Sequence, residues 1–122
     1  MGKVKNLSNS KRVIKRKKSL GSFEEDVLLA IAALRAPDGA SGASIREQLE
    51  DNLNRSISVG ALYATLDRLE RKSLIRSWEG ASTSVRGGRA KRYFKLERAA
   101  EDALKDAHRR QTRLHELAFG PA

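Results

Sequence analysis

Apolar residues recur at helical spacing in four segments of the chain and alternate in a strand-like manner in two others. The first helical segment begins at Ser22, and Glu25 three residues later has the spacing of a capping box. Its apolar residues lie on one continuous face and also on the other sides: Phe23, Val27, Ala30, Ile31 and Leu34, then Leu28, Leu29, Ala32 and Ala33. A helix that is apolar nearly all round must be covered on more than one side. Part of that cover is therefore expected from a second copy of the chain.

Two short helices are predicted next, after a Pro- and Gly-containing loop at residues 36–44. The second helix has a capping box at Ser44 and Glu47, and the third begins at Ser58. The third helix has a predicted buried face and an opposite face of small and polar residues: Val59, Leu62, Leu66 and Leu69 inside; Gly60, Ala64, Asp67, Arg68 and Arg71 outside; Tyr63 and Thr65 on the flanks. Two short helices with a tight joint are typical of a helix-turn-helix.

Two strand-like segments, at residues 74–79 and 91–96, enclose a cationic loop with a Gly87-Gly88 pair. No acid occurs between Glu79 and Glu97, whereas five cations do: Arg86, Arg89, Lys91, Arg92 and Lys95. Glycines allow such a hairpin tip to turn tightly or to approach a backbone, and the cations can reach phosphate or a minor groove. Three helices followed by this hairpin predict a mainly α fold with a small β-hairpin, the winged helix-turn-helix.

The last helical segment has a narrow apolar seam that steps by four and three residues: Ala100, Leu104, Ala107, Gln111, Leu114 and Ala118. This is the pattern of a short coiled coil, with Gln111 as a polar position in it. Gly120 and Pro121 end the helix. The seam and the first helix together predict a homodimer.

The net charge of +10 in 122 residues comes mostly from one end of the chain. Residues 1–18 contain eight basic residues and no acid, which leaves 17 basic against 15 acidic residues in the rest of the chain, a net charge of +2. Such a dense like charge with few apolar residues does not fold alone. Two interpretations stay open: a disordered solubilising tail, or an arm that neutralises DNA phosphates.

Length and composition limit the remaining possibilities. The chain is long enough for one domain, which we divide into a basic arm (1–19), a winged helix-turn-helix (20–96) and a C-terminal dimerisation helix (97–118). It contains no cysteine, so a reducing compartment is expected. The longest apolar run, residues 27–34, is far too short to span a bilayer. No catalytic motif, phosphate-binding loop or metal-ligand cluster is present, and neither enzymatic activity nor a cofactor or metal is predicted.

Two stretches together, GALYATLDRLERKSLI and then GGRAKRYFKL, resemble the PadR family of bacterial transcriptional regulators. The resemblance covers about residues 20–98. It implies a dimeric repressor, located in the cytoplasm and on the nucleoid, that binds a pseudo-palindromic duplex DNA until a ligand or stress signal acts; whether a small-molecule effector exists is left open. Some relatives bind drugs through a tryptophan in the C-terminal helix, which this chain lacks.

The helix-turn-helix pattern and the resemblance together assign two sets of residues. The expected DNA-binding set is Ser58, Ala61, Tyr63, Ala64, Thr65, Arg68, Arg86, Arg89, Lys91 and Arg92. The expected dimerisation set is Phe23, Val27, Leu28, Ile31, Leu104, Ala107, Gln111 and Leu114. Two alternatives remain: the fold could serve as a protein-protein interaction module without specific DNA binding, and Trp78 could line an effector cavity rather than pack the hairpin.

Overall fold

The computed structural model describes residues 20–80 and 91–121 of the chain. Within these ranges it has four helices and three strands, in the following order: α1 Ser22–Leu34, β1 Ala40–Ser41, α2 Gly42–Leu53, α3 Val59–Arg71, β2 Ile75–Glu79, β3 Arg92–Leu96 and α4 Arg98–Phe119. The predicted arm at residues 1–19 and the tip of the predicted wing, with Arg86, Gly87, Gly88 and Arg89, lie outside the described residues.

A single apolar core joins the helices to the sheet. Its largest fully buried side chains come from α1, α2, α3 and the two longer strands: Val27, Leu28, Ile45, Leu62, Leu66, Leu69, Ile75 and Phe94. Burial of each such side chain contributes roughly 1.5–3 kcal/mol. The predicted inner face of α3 is correct at its three leucines, but Val59 is 52% exposed. Thr65 is buried instead, because the inner face is rotated slightly from the one that Val59 would define.

Of the three predicted N-terminal caps, only the cap of α3 is the residue that caps the helix in the structure. The predicted cap of α3 is confirmed, since the Ser58 hydroxyl accepts the backbone N–H of Ala61 at 3.0 Å. Helix α2 is capped by Ser41, whose hydroxyl accepts the N–H of Ser44 at 3.1 Å, and not by Ser44. Helix α1 is preceded by Gly21, whose backbone N–H donates to the Glu24 carboxylate at 3.0 Å. In α1 the capping residue is therefore Gly21 and not Ser22, and the acid that bonds to it is Glu24 and not Glu25.

The predicted hairpin is confirmed, but it belongs to a three-stranded antiparallel sheet of order β1-β3-β2. Strand β3 pairs with β2 over its whole length, from Ile75 opposite Leu96 to Glu79 opposite Arg92. Its other edge pairs with β1, where Ala40 lies opposite Phe94. The prediction of a loop at Ala40–Ser41 was wrong, because a strand of two residues has no alternation by which it could be recognised.

Candidate DNA-binding surface

The first two turns of α3 present small side chains to solvent. Ser58, Gly60, Ala61 and Ala64 are all exposed, and only Val59 among the first residues of the helix carries a larger apolar side chain. With no bulky group in front of it, the backbone of this end of α3 can approach another surface closely. Four residues of the predicted helix-turn-helix pattern are therefore placed where a groove of DNA could meet them.

The joint between α2 and α3 is fixed by two side chains of α2. Arg46 donates through Nε to the carbonyl of Ile57 at 2.6 Å, and Glu50 accepts the N–H of Ile57 at 2.8 Å. Both bonds hold the residue just before the α3 cap, while Ile57 itself is buried. Because the backbone is held on its donor and its acceptor, the start of α3 has a defined position relative to α2. Sequence reasoning missed Arg46 and Glu50.

Tyr63, expected to face DNA, is half-buried between α2 and the sheet. Its ring packs edge-on against Phe94, with centroids 6.2 Å apart. Its hydroxyl lies so close to Gly42 that a Cβ on that glycine would be 1.9 Å from the oxygen. Tyr63 is thus first an anchor of α3 against α2 and β3, with only part of its ring exposed.

Two further α3 residues of the predicted DNA-binding set have partners within the protein. Thr65 is buried, and Arg68 is exposed but forms an ion pair. Thr65 is 2% exposed, so its side chain has no surface to offer DNA. The Arg68 side chain is 46% exposed, but its Nε lies 3.2 Å from the Glu24 carboxylate, and Nη2 donates to the Thr65 hydroxyl at 3.1 Å. The predicted contact of Thr65 is therefore corrected to a core position, and Arg68 is an exposed residue with an internal partner.

Glu24 is a buried carboxylate that connects the start of α1 to the end of α3. Besides Gly21 and Arg68, it accepts two hydrogen bonds from Lys72 Nζ, at 2.9 and 3.1 Å. Burial by itself raises the pKa of Glu24, but the hydrogen bonds from Lys72, Gly21 and Arg68 outweigh it and hold the pKa below its ordinary value. Glu24 is therefore ionised at neutral pH and holds two helices together.

Near the loop end of the paired strands, one aromatic pair packs β2 against β3. Trp78 and Tyr93 stack with centroids 6.4 Å apart. A Cβ at Gly39 would lie 2.6 Å from the Trp78 ring, and one at Gly80 would lie 2.6 Å from Tyr93, so the loop before β1 and the end of β2 both run directly against this pair. Trp78 thus packs the hairpin, as one of the two interpretations of the sequence proposed.

The two cations of the predicted wing that the structure describes have different surroundings. Lys91 is exposed, and its carbonyl accepts the N–H of Gly80 at 2.7 Å. Arg92 is half-buried and is paired with Glu70 at 2.9 Å and Asp67 at 3.5 Å. Lys91 is therefore open to solvent, whereas the guanidinium of Arg92 is already paired with two carboxylates.

Most of the predicted dimerisation residues pack in the protomer itself. Val27, Leu28, Ile31 and Ala107 are buried, and Phe23 and Leu104 pack against the same core. Only Gln111 and Leu114 are exposed. The sequence pattern located the apolar faces, but it could not distinguish cover by the same chain from cover by a partner.

The second half of α4 extends beyond the core. All residues from 108 to 121 are exposed, and they include Leu114, Leu117 and Phe119, which are 54%, 78% and 83% exposed. Leu117 and Phe119 were missed in the sequence, although Leu117 continues the Leu114 face at a spacing of three residues. Leu114 and Leu117 therefore form an exposed apolar surface on one face of α4, whereas Phe119 lies to one side of it.

Three helices followed by an antiparallel hairpin that packs against the third define a winged helix-turn-helix protein. The profile of the transcriptional regulator PadR-like family matches residues 29–106, which is more than half of the chain. The chain therefore belongs to the PadR-like family of transcriptional regulators.

Solved structures share the fold. A PadR-like transcription factor from Bacteroides fragilis is 22% identical, with a TM-score of 0.67 over 93% of this chain and 95% of that one. A PadR family regulator from Eggerthella lenta is 22% identical, with a TM-score of 0.60 over 75% and 76% of the two chains. The Orc1 protein of Aeropyrum pernix, in complex with DNA, is 22% identical, with a TM-score of 0.57 over 71% of this chain and 24% of that one. No curated protein matches the chain.

Neither α4 nor any other helix within residues 20–80 and 91–121 has the length and apolar character needed to cross a membrane.

Proposed function

We propose that the chain is a homodimeric repressor that binds a pseudo-palindromic duplex DNA through the start of α3 and the wing. The observation that carries the proposal is the row of exposed small residues Ser58, Ala61 and Ala64 at the start of a helix whose position is fixed by Arg46 and Glu50. In helix-turn-helix proteins this end of the second helix enters the major groove. The Orc1 protein of Aeropyrum pernix, which shares the fold, was solved in complex with DNA, and this supports the assignment.

The proposed contacts divide into two kinds. Ser58, Ala61 and Ala64, with the exposed part of Tyr63, lie near base edges and fix the register. Lys91, together with Arg86 and Arg89 of the wing, contacts the phosphate backbone or a minor groove. Arg68 reaches DNA only if it leaves Glu24.

The proposed dimer uses the exposed face of α4 that contains Gln111, Leu114 and Leu117. A two-fold dimer presents two copies of α3 to one side of the duplex, so the half-sites should be about 34–36 Å apart, or a multiple of this distance.

A protein-protein interaction module is the second candidate function, since residues 19–122 carry a net charge of only +2 and Asp67 lies exposed on α3. Such a module would show no preference among duplex sequences. Selection from a pool of random duplex DNA therefore separates the two functions, because only a sequence-specific regulator enriches a common palindrome.

The test of the surface uses Ala64→Glu, which places a bulky anion where the groove would be. Like-charge contact at an interface costs several kcal/mol, so affinity for the selected duplex should fall by about 2 kcal/mol or more, roughly 30-fold. Ala99→Glu is the matched control, since Ala99 is an exposed alanine in the first turn of α4. Equal binding by both variants, measured by fluorescence anisotropy of labelled duplex, would remove α3 from the interface.

A further inference from the structure

Arg92, the first residue of β3, is enclosed by side chains from three different elements. Its Nη2 donates to the Glu70 carboxylate of α3 at 2.9 Å, and its Nε donates to the Ser77 hydroxyl of β2 at 3.2 Å. Its Nη1 lies 3.5 Å from Asp67, one turn earlier on α3. The guanidinium also lies over the ring of the fully buried Phe94, 5.0 Å from its centroid.

The partners of Arg92 are themselves connected. The Ser77 hydroxyl donates to the Glu70 carboxylate, with both oxygens 2.9–3.0 Å away. Ser77 and Arg92 lie on neighbouring, paired strands, whereas Glu70 lies in the last turn of α3. The cluster of Glu70, Ser77 and Arg92 therefore joins the third helix to both strands of the hairpin near the Glu79–Arg92 end of the ladder.

This arrangement leaves Arg92 poorly suited to contact a phosphate. Two carboxylates already neutralise the guanidinium, and a phosphate brought to the same place would meet the negative charge of Glu70 and Asp67. Lys91, the preceding residue, is exposed, and its ammonium group forms no ion pair with the residues that the structure describes. Lys91 can therefore contact a phosphate, whereas Arg92 is poorly placed to do so.

We infer that Arg92 is a positioning residue: through Glu70 and Ser77 it sets the angle of the wing relative to α3. This inference rests on the proposed function, because it concerns how the two DNA-contacting parts are held in one geometry. A planar guanidinium with a fixed fork of donors suits this role, since it can bind a carboxylate and a hydroxyl on two different elements at once. Partly exposed ion pairs contribute little to folding stability, so the cluster is more important for geometry than for the fold.

The first test needs no DNA. Hydrogen exchange of the backbone amides is compared in the wild type, Arg92→Ala and Glu70→Ala. Amides of β2 and β3 should exchange faster in both variants, to a similar extent, while those of α2 stay unchanged. Exchange in the strands that is the same as in the wild type would overturn the inference, whether or not the protein binds DNA.

The second test measures affinity for a duplex selected from a random pool, as a function of salt, in both single variants and the double variant. A positioning role predicts that either alanine weakens binding by about tenfold and that the double variant is no weaker than the singles, since residues in one network are not additive. The slope of log affinity against log salt should be unchanged in the Arg92 variant. Arg92→Lys should not restore affinity, because an ammonium cannot reproduce the fork.

A direct phosphate contact predicts a different set of results. Arg92→Ala would then make the salt slope shallower by about 0.9, as we expect for the control Lys91→Ala, and Glu70→Ala would leave binding unchanged or tighten it. That outcome would overturn the inference but leave the proposed function intact. If neither the wild type nor the Lys91 variant binds any duplex, the proposed function fails, and the hydrogen-exchange result decides the role of Arg92 by itself.

Discussion

At the scale of single residues, the main finding is that side chains with the same charge have different surroundings. In the sequence, Glu24 is one of three consecutive acids near the start of α1, where acids favour the positive end of the helix dipole. In the structure it is a buried carboxylate with cationic partners 44 and 48 residues away, Arg68 and Lys72. Partners so distant along the chain follow no local pattern, so neither the helix-turn-helix pattern nor the family resemblance could show that Arg68 is paired with Glu24.

Glu24 should make the stability of the protein sensitive to acid. Its pKa in the folded state is held below the ordinary value by the hydrogen bonds from Lys72, Gly21 and Arg68, against the effect of burial. The stabilisation is therefore complete above the ordinary glutamate pKa of about 4.3 and is lost as the pH falls through the lowered folded-state pKa. Glu24→Gln should lower the free energy of unfolding by about 1–3 kcal/mol at neutral pH, and the difference should shrink in acid.

Urea denaturation of both proteins from neutral to acidic pH measures this difference. Glu47→Gln is the control, since Glu47 is an exposed glutamate on α2, and it should change the unfolding free energy by only a few tenths of a kcal/mol. A constant difference between wild type and Glu24→Gln at every pH would show that the carboxylate charge is not the source of the stabilisation.

At the scale of secondary-structure elements, the sequence predicted the order and type of the four helices and both long strands within residues 20–80 and 91–121. It did so because each has at least one strong local signal: an apolar period, a cap or an alternation. It failed for β1, and it placed two caps at the wrong residue, because several small or hydroxyl side chains stand near each helix start and only the folded backbone selects one.

Helix α4 shows a second limit of periodicity. Its seam is a single pattern in the sequence, but Ala100 and Ala107 are buried in the protomer, whereas Leu114 is exposed. The first half of the helix closes the core, and the second half is left for the proposed partner. Apolar residues at helical spacing predict that a helix face is buried, but they do not predict whether the same chain or a partner buries it.

The double substitution Leu114→Glu and Leu117→Glu should convert the proposed dimer to a monomer. Both side chains are exposed and lie on one face of α4, so charges there should prevent association without disturbing the protomer core. Leu104 is a less suitable target because it packs against that core. Multi-angle light scattering measures the mass, and circular dichroism verifies that the protomer stays folded.

Thr112→Glu provides the control for this experiment, because Thr112 is exposed on roughly the opposite side of the same helix. It should leave the mass of a dimer unchanged. A double variant that remains dimeric at micromolar concentration would place the interface elsewhere on the molecule.

At the scale of the whole molecule, the charge is distributed unevenly between the domain and its N-terminal segment. Residues 1–18 supply +8 of the net charge of +10. Lys91 directly precedes strand β3, whereas the basic segment has no sequence signal for a fold of its own. We expect the wing to contribute to sequence choice and the segment to contribute mainly general attraction to DNA.

Deletion of residues 1–18 should therefore weaken binding to selected and random duplexes by the same factor. Each neutralised phosphate changes the slope of log affinity against log salt by about 0.9, so loss of eight cations should make it shallower by at most about 7. Deletion of residues 1–10 removes only two basic residues, Lys3 and Lys5, so the slope should change by at most about 2. If the longer deletion abolished only the binding of the selected duplex, the segment itself would read the sequence.

Trp78 is placed so that the intrinsic fluorescence of the protein reports on one defined site. It is the only tryptophan in the sequence, it is 37% exposed, and it stacks on Tyr93 near the loop end of the paired strands. Indole emission from the unlabelled protein therefore arises from one place, next to the proposed wing and distant in sequence from the exposed end of α4. Events on DNA and events between subunits can thus be followed separately, the first by the natural emission and the second by a dye attached to a cysteine introduced near the C-terminus, since the chain has no cysteine of its own.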